Sequence, residues 1–110
     1  MISDVALGKI CAQIAAMIAK AEIHVDGEWR RIRTPLTKNA SAGVVSVIVQ
    51  IGEEQEAGTT VTEIRLLDLN AEVFCEKAVE ITRADSSAGY AYQYTLQVTA
   101  SEEAVVYGLR

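Results

Sequence analysis

The clearest regularity in the chain is the run Val44 to Ile51, in which Val45, Val47, Val49 and Ile51 alternate with Ser46 and Gln50. Strand side chains point alternately to opposite faces, so this run predicts a strand with one apolar face and one partly polar face. The same period returns from Tyr90 to Val98, where Tyr90, Tyr92, Tyr94, Leu96 and Val98 share one face and Ala91, Gln93, Thr95 and Gln97 the other. Near the N-terminus the period changes. Leu7, Ile10, Ile14, Met17 and Ile18 recur at helical spacing, which predicts a helix capped by Ser3 or Asp4 and ending at about Lys20 or Ala21. At steps of about 100°, that stripe and Cys11 lie on one side, and Lys9, Gln13 and Lys20 on a narrow polar strip. Gly8, Ala12, Ala15 and Ala19 line a third flank. A helix with so narrow a polar strip is expected to be covered on two sides.

Turn signals connect these elements. Asp26-Gly27, between Glu22 to Val25 and Glu28 to Arg33, predicts a hairpin whose two central residues both take positive φ. His24 then alternates outward from Ile23 and Val25, in a structural or solvent role, and Trp29 packs at the strand end. Pro35 ends that hairpin, and Lys38 to Gly43 is expected to be a polar loop. Glu53, Glu54, Glu56 and Gly58 make an acidic loop without the spacing of a calcium loop, so a solvated turn is expected there.

A second hairpin, Thr60 to Lys77, turns through Leu69, Asn70 and Ala71, because Asp68 and Asn70 favour tight turns. A three-residue loop places Asp68 opposite Glu72, Leu67 opposite Val73, Leu66 opposite Phe74, Arg65 opposite Cys75 and Glu63 opposite Lys77. Ile64, Leu66 and Phe74 then share the core face, and Glu63, Arg65, Cys75 and Lys77 the wet one. Ala78 to Thr82 continues or restarts the strand before the loop Arg83 to Gly89.

The pattern Thr-x-Thr-Glu-Ile-x-Leu-Leu-Asp-x-Asn-x-x-Val-Phe-x-x-Lys resembles small tail-associated proteins of phages and prophages of Gram-positive bacteria, and more loosely tail-fibre modules. In those, an "ITEIRLID" strand runs into a "DGxVF" turn. The resemblance extends roughly from Ala21 to Val98, includes Val25-Asp26-Gly27-Glu28-Trp29-Arg30, and carries no catalytic signature. It departs at Ala71, where the family pattern has Gly, and an alanine in the left-handed region costs about 1 kcal/mol. Either Asn70 takes that conformation or the turn type differs. The resemblance implies a structural tail component, fibre- or baseplate-associated, that acts by self-assembly and contacts other tail proteins.

Composition narrows the picture. A chain of 110 residues makes one domain, here a helix over 1–21, an antiparallel β region over 22–100 and a tail over 101–110. Its core must be aliphatic, since only one Trp, four Tyr and one Phe are present. The net charge of −5 is concentrated after residue 52, which argues against nucleic-acid binding. The basic residues Arg30, Arg31 and Arg33 read as the solvated side of a strand. Cys11 and Cys75 are expected to be free thiols, and no nucleotide-binding, zinc or serine-hydrolase motif occurs. The longest apolar run, Ile14 to Ala19, is too short to span a bilayer, so a cytoplasmic site of synthesis is expected, with the virion tail as destination after assembly.

The expected fold is therefore α+β: an N-terminal helix followed by an antiparallel sheet or sandwich of about six hairpin-connected strands. Leu7, Ile10, Ile14, Val47, Val49, Ile64, Leu66, Phe74, Leu96 and Val98 should face inward. The expected function is non-enzymatic, with no catalytic residue, cofactor, metal or membrane partner. Candidate interface residues are Gly8, Ala12, Ala15, Ala19, Trp29, Tyr90, Tyr92 and Tyr94, in a homo-oligomer, trimer ahead of dimer, with the helices at the contact. The alternative is a small ligand- or carbohydrate-binding β module that uses Trp29 and the Tyr90, Tyr92 and Tyr94 face. The three tyrosines fit either core or interface.

Overall fold

The computed structural model describes residues 2–52, 54–84 and 90–99. It is α+β, with one helix, α1 (Asp4–Met17), followed by β1 (Lys20–Val25), β2 (Glu28–Arg31), β3 (Thr37–Ser41), β4 (Val44–Ile51), β5 (Thr60–Leu67), β6 (Val73–Thr82) and β7 (Tyr90–Gln97). These strands form two antiparallel sheets, a four-stranded one in the order β2-β1-β5-β6 and a three-stranded one in the order β3-β4-β7. One aliphatic core joins them. Ile23, Val25, Val61, Ile64 and Leu66 come from the first sheet, Val45, Val47, Val49 and Ile51 from the second, and Cys11, Ala15 and Ile18 from the helix and its exit.

The helix begins where expected, with the Ser3 hydroxyl accepting from the Ala6 N–H at 3.1 Å. It ends earlier than expected, at Met17, because Ile18 turns to extended backbone, its side chain fully enclosed, and the Ala19 N–H donates to the Leu67 carbonyl at 2.8 Å. The ammonium of Lys38 on β3 donates to the last carbonyls, those of Ala15 at 2.7 Å and Ile18 at 2.6 Å. A cation therefore satisfies the negative end of the helix from a distant strand. Of the expected stripe, Leu7, Cys11, Ile14 and Ile18 pack on the core. Ile10 and Met17 are instead 41% and 47% exposed and Ala15 is buried, so the helix is turned slightly toward Ala15. Closer approach of backbone to sheet is the physical gain.

Lys38 to Ser41, expected in a loop, is most of β3. Its pairing runs from Thr37 opposite Ile48 to Ser41 opposite Val44, through a turn at Ala42-Gly43 in which Gly43 has φ +94°. An edge strand with only Ala40 half-buried shows no alternation to read. The Asp26-Gly27 turn is as expected, with φ +52° and +78°. In the second hairpin Ala71 itself takes φ +61°, so neither expected escape is used. Asp68 holds that turn: its carboxylate accepts from Asn70 N–H at 2.9 Å and Glu72 N–H at 3.0 Å, and its own N–H donates to the Glu72 carbonyl.

Beyond Val73 the expected register is wrong. Leu67 pairs with Val73, but Leu66 then pairs with Cys75, Arg65 with Glu76, Ile64 with Lys77 and Glu63 with Ala78. A bulge at Phe74 inserts the extra residue, and one slipped residue exchanges the faces. Phe74 is consequently 36% exposed and Cys75 turns inward. The Glu63–Lys77 pairing is lost with it. The chain beyond Thr99, including the apolar segment Ala104 to Tyr107, and residues 85–89 of the β6–β7 connection lie outside the described residues.

Candidate functional site

The outer face of the four-stranded sheet gathers Glu22 and His24 from β1, Trp29 and Arg31 from β2, and Arg65 from β5, because paired residues of antiparallel strands share a face. Arg65 is fixed by Glu22, at 2.7 and 2.8 Å, and its guanidinium lies 3.8 Å from the centroid of the Trp29 ring. His24 meets the same indole edge-on at 5.0 Å between centroids and contacts the Thr62 hydroxyl at 3.1 Å. Stacked guanidinium and ring stabilise each other, so one ring face of Trp29 is already occupied.

The tyrosines lie elsewhere. Tyr94 pairs with Val47 and Tyr92 with Val49, on the inner face of the three-stranded sheet. Tyr94 is 4% exposed and Tyr92 half-buried, with their rings edge to face at 6.4 Å. Across the core, the Tyr94 phenol approaches the Cys75 thiol of β6. Burial pushes both the phenol and the thiol above their ordinary pKa ranges, and their mutual interaction adds to the rise at Tyr94 while partly opposing it at Cys75. Tyr90 belongs to β7, but its side chain is outside the described set. Trp29 and the Tyr92–Tyr94 pair thus sit on different faces of different sheets, and no single surface contains both.

The small helix flank is divided as well. Ala15 is buried against the chain's own core, Gly8 and Ala19 are half-buried, and Ala12 is exposed. A methyl group added at Gly8 would meet nothing within 4 Å.

Two further clusters have no counterpart in the sequence reading. The acidic loop docks on the basic segment. Glu56 receives Arg30 at 2.6 Å, Glu54 receives both the backbone N–H and the side chain of Arg33 at 3.1 and 3.2 Å, and the Glu54 carbonyl accepts from Arg30 at 2.9 Å. Gln55 is fully buried between them, donating to the carbonyls of Thr59 and Ile81, while Arg83 donates to those of Gly52 and Gln55. Burial raises the Glu54 carboxyl, but the Arg33 bonds together with Glu54's own backbone N–H outweigh it and leave the group below its ordinary range. Opposite charge in 30–33 and 53–56, on either side of β3 and β4, was the signal available for this pairing. It is a structural clasp, and among the described residues no group of three potential metal ligands forms.

The other cluster is apolar and open. Met17 at the end of α1, Leu69 in the β5–β6 turn and Phe74 at the bulge line a groove of about 280 Å³ with Asp68 and Asn70. Met17 is 47% exposed, Leu69 76%, and Val73, beside Phe74, 50%. Ile10 lies two helical turns before Met17 on the same side. The helix rotation and the β6 bulge, which together expose Met17 and Phe74, both escape a periodicity argument.

No helix among the described residues is long and apolar enough to cross a membrane. No family model matches the chain, and comparison with curated proteins and with solved structures finds no match.

Proposed function

We propose that the chain is a non-enzymatic structural component of a phage or prophage tail, fibre- or baseplate-associated, that works by self-association and by contact with other tail proteins. The observation that carries this reading is the groove formed by Met17, Leu69 and Phe74, since it gathers three of the six large exposed apolar side chains among the described residues at one place. Contiguous exposed apolar surface on a small domain marks an interaction site. The resemblance of Thr60 to Lys77 to tail-associated proteins points the same way, and the groove is built from that segment and the end of the helix. Synthesis in the bacterial cytoplasm and a final place in the virion tail belong to this reading, as does a homo-oligomer, trimer ahead of dimer.

Trp29, with a ring face under Arg65, and Tyr94, inside the core, offer no shared platform of the kind that carbohydrate binding by these residues would need. Light scattering on the full chain tests self-association: an oligomer is expected, and a monomer at high micromolar concentration would overturn the reading. Met17→Glu and Phe74→Glu should weaken assembly without changing the β circular-dichroism signal, because both positions are exposed. Tail or baseplate genes beside this one would support the assignment to a tail.

A further inference from the structure

We infer that the outer edge of β7, which no strand among the described residues covers, pairs with β7 of a second copy, antiparallel, about a two-fold axis at Tyr94. This rests on the self-associating role above and specifies where one contact is made.

Sheet edges expose unpaired N–H and C=O groups, and proteins guard them with charge, bulges or brevity. Among the described residues, three of the four sheet edges are guarded. β2 has four residues and carries Glu28, Arg30 and Arg31; β3 carries Lys38; β6 carries Glu76, Lys77 and Glu80 and shifts register twice against β5. β7 has none of these devices. Its eight residues, Tyr90 to Gln97, contain no charge and no proline, and its register against β4 is unbroken from Ile51–Tyr90 to Val44–Gln97.

The direction of its backbone groups follows from one bond. The Val98 N–H donates to the Gly43 carbonyl at 2.8 Å, and in an antiparallel ladder successive residues turn their polar groups to opposite sides. Tyr94 and Leu96 therefore bond toward β4, and Ala91, Gln93, Thr95 and Gln97 present theirs to the open edge. Among the described residues no strand takes them.

The strand matches itself in one register. An axis at Tyr94 sets Ala91 opposite Gln97 and Gln93 opposite Thr95, and each such pair exchanges both of its hydrogen bonds, so every outward group of these four residues is satisfied. Moving the axis to Gln93 leaves Gln97 beyond the start of the other copy's strand at Tyr90. With the axis at Tyr94 the faces also agree: Tyr92 meets Leu96 on the apolar side, and Gln93 meets Thr95 on the polar side. No charge opposes a like charge. An isologous contact of this kind closes at two copies, so it sets the symmetry of the contact as two-fold rather than threefold.

Thr95→Pro is the decisive variant. The proline removes an N–H that points away from β4, so the chain's own ladder is kept while the edge is blocked. Sedimentation of the full chain at tens of micromolar should give an even number of copies for the wild type and half that mass for Thr95→Pro, with unchanged circular dichroism. Amide hydrogen exchange of wild type reads the same contact without a substitution: the amides of Ala91, Gln93, Thr95 and Gln97 should be protected. In a Cys75→Ala background, oxidising a mixture of Gln93→Cys and Thr95→Cys chains should yield the mixed disulfide and neither homodimer. A wild type that associates while those four amides exchange freely would overturn edge pairing and leave self-association standing. A monomeric wild type would overturn both.

Discussion

β4 and β6 show what a strand's position does to its pattern. β4 has a paired strand on either side, and Val45, Val47, Val49 and Ile51 are fully buried in unbroken alternation. β6 is longer, lies at an edge, and slips against β5 at both ends of its pairing, so its apolar residues do not settle on one face. Two neighbours fix a strand's register, because a slip would turn a whole row of valines to water, whereas one neighbour leaves room for a bulge. The difference extends beyond these strands. The centre is held by apolar packing, and the periphery by backbone conformation, capping and ion pairs.

The sharpest test sets one residue of each kind in the same hairpin. Leu66→Ala, at a fully enclosed site, should cost about 2–5 kcal/mol, while Phe74→Ala should cost less than about half as much. Equal losses in chemical denaturation would break the comparison. Next is Lys38→Met, which removes a cation from the helix end and takes its bond from the Ile18 carbonyl, while the Ala15 carbonyl keeps the Ile18 N–H. A loss of about 1–2 kcal/mol is expected, with reduced helical signal at the melting midpoint. Ala71→Gly should raise stability by up to about 1 kcal/mol, since glycine takes φ +61° without strain, and thermal melts would read the gain.

The smallest effect is electrostatic and depends on pH. The Glu54 carboxyl sits below its ordinary range when folded, so its contribution is present above the ordinary carboxylate pKa and is lost as pH falls through the folded value. Glu54→Gln should therefore flatten the acid limb of the stability profile and leave the limb above neutrality unchanged. An unaltered acid limb would show that the clasp between Arg33 and the acidic loop adds nothing measurable.

The same contrast explains which features were legible in the sequence. Strand β4, the Asp26-Gly27 turn and the three-residue turn after Asp68 could be read because packing or φ leaves few alternatives. β3 could not, since Thr37, Lys38, Asn39 and Ser41 are all exposed and its strand character comes from pairing with β4. The helix face is legible at Leu7, Cys11, Ile14 and Ile18, but at its edge Ala15 competes with Ile10 and Met17, and hydrophobicity alone favours the larger residues. Docking against a sheet selects the smaller one. The stack of Arg65 on Trp29 and the clasp of Arg30 and Arg33 with Glu56 and Glu54 join residues far apart in sequence, and no local period records them.

Cys11, fully enclosed between helix and sheets, also turns the molecule into its own clock. A thiol reagent cannot reach that sulfur until α1 lifts, whereas Cys75 is only half-covered near the sandwich edge. Under conditions where closing outpaces labelling, the two modification rates report two separate opening equilibria, one for the helix and one for the β6 edge. Their ratio would show whether the chain loosens from the helix inward or from the edge inward.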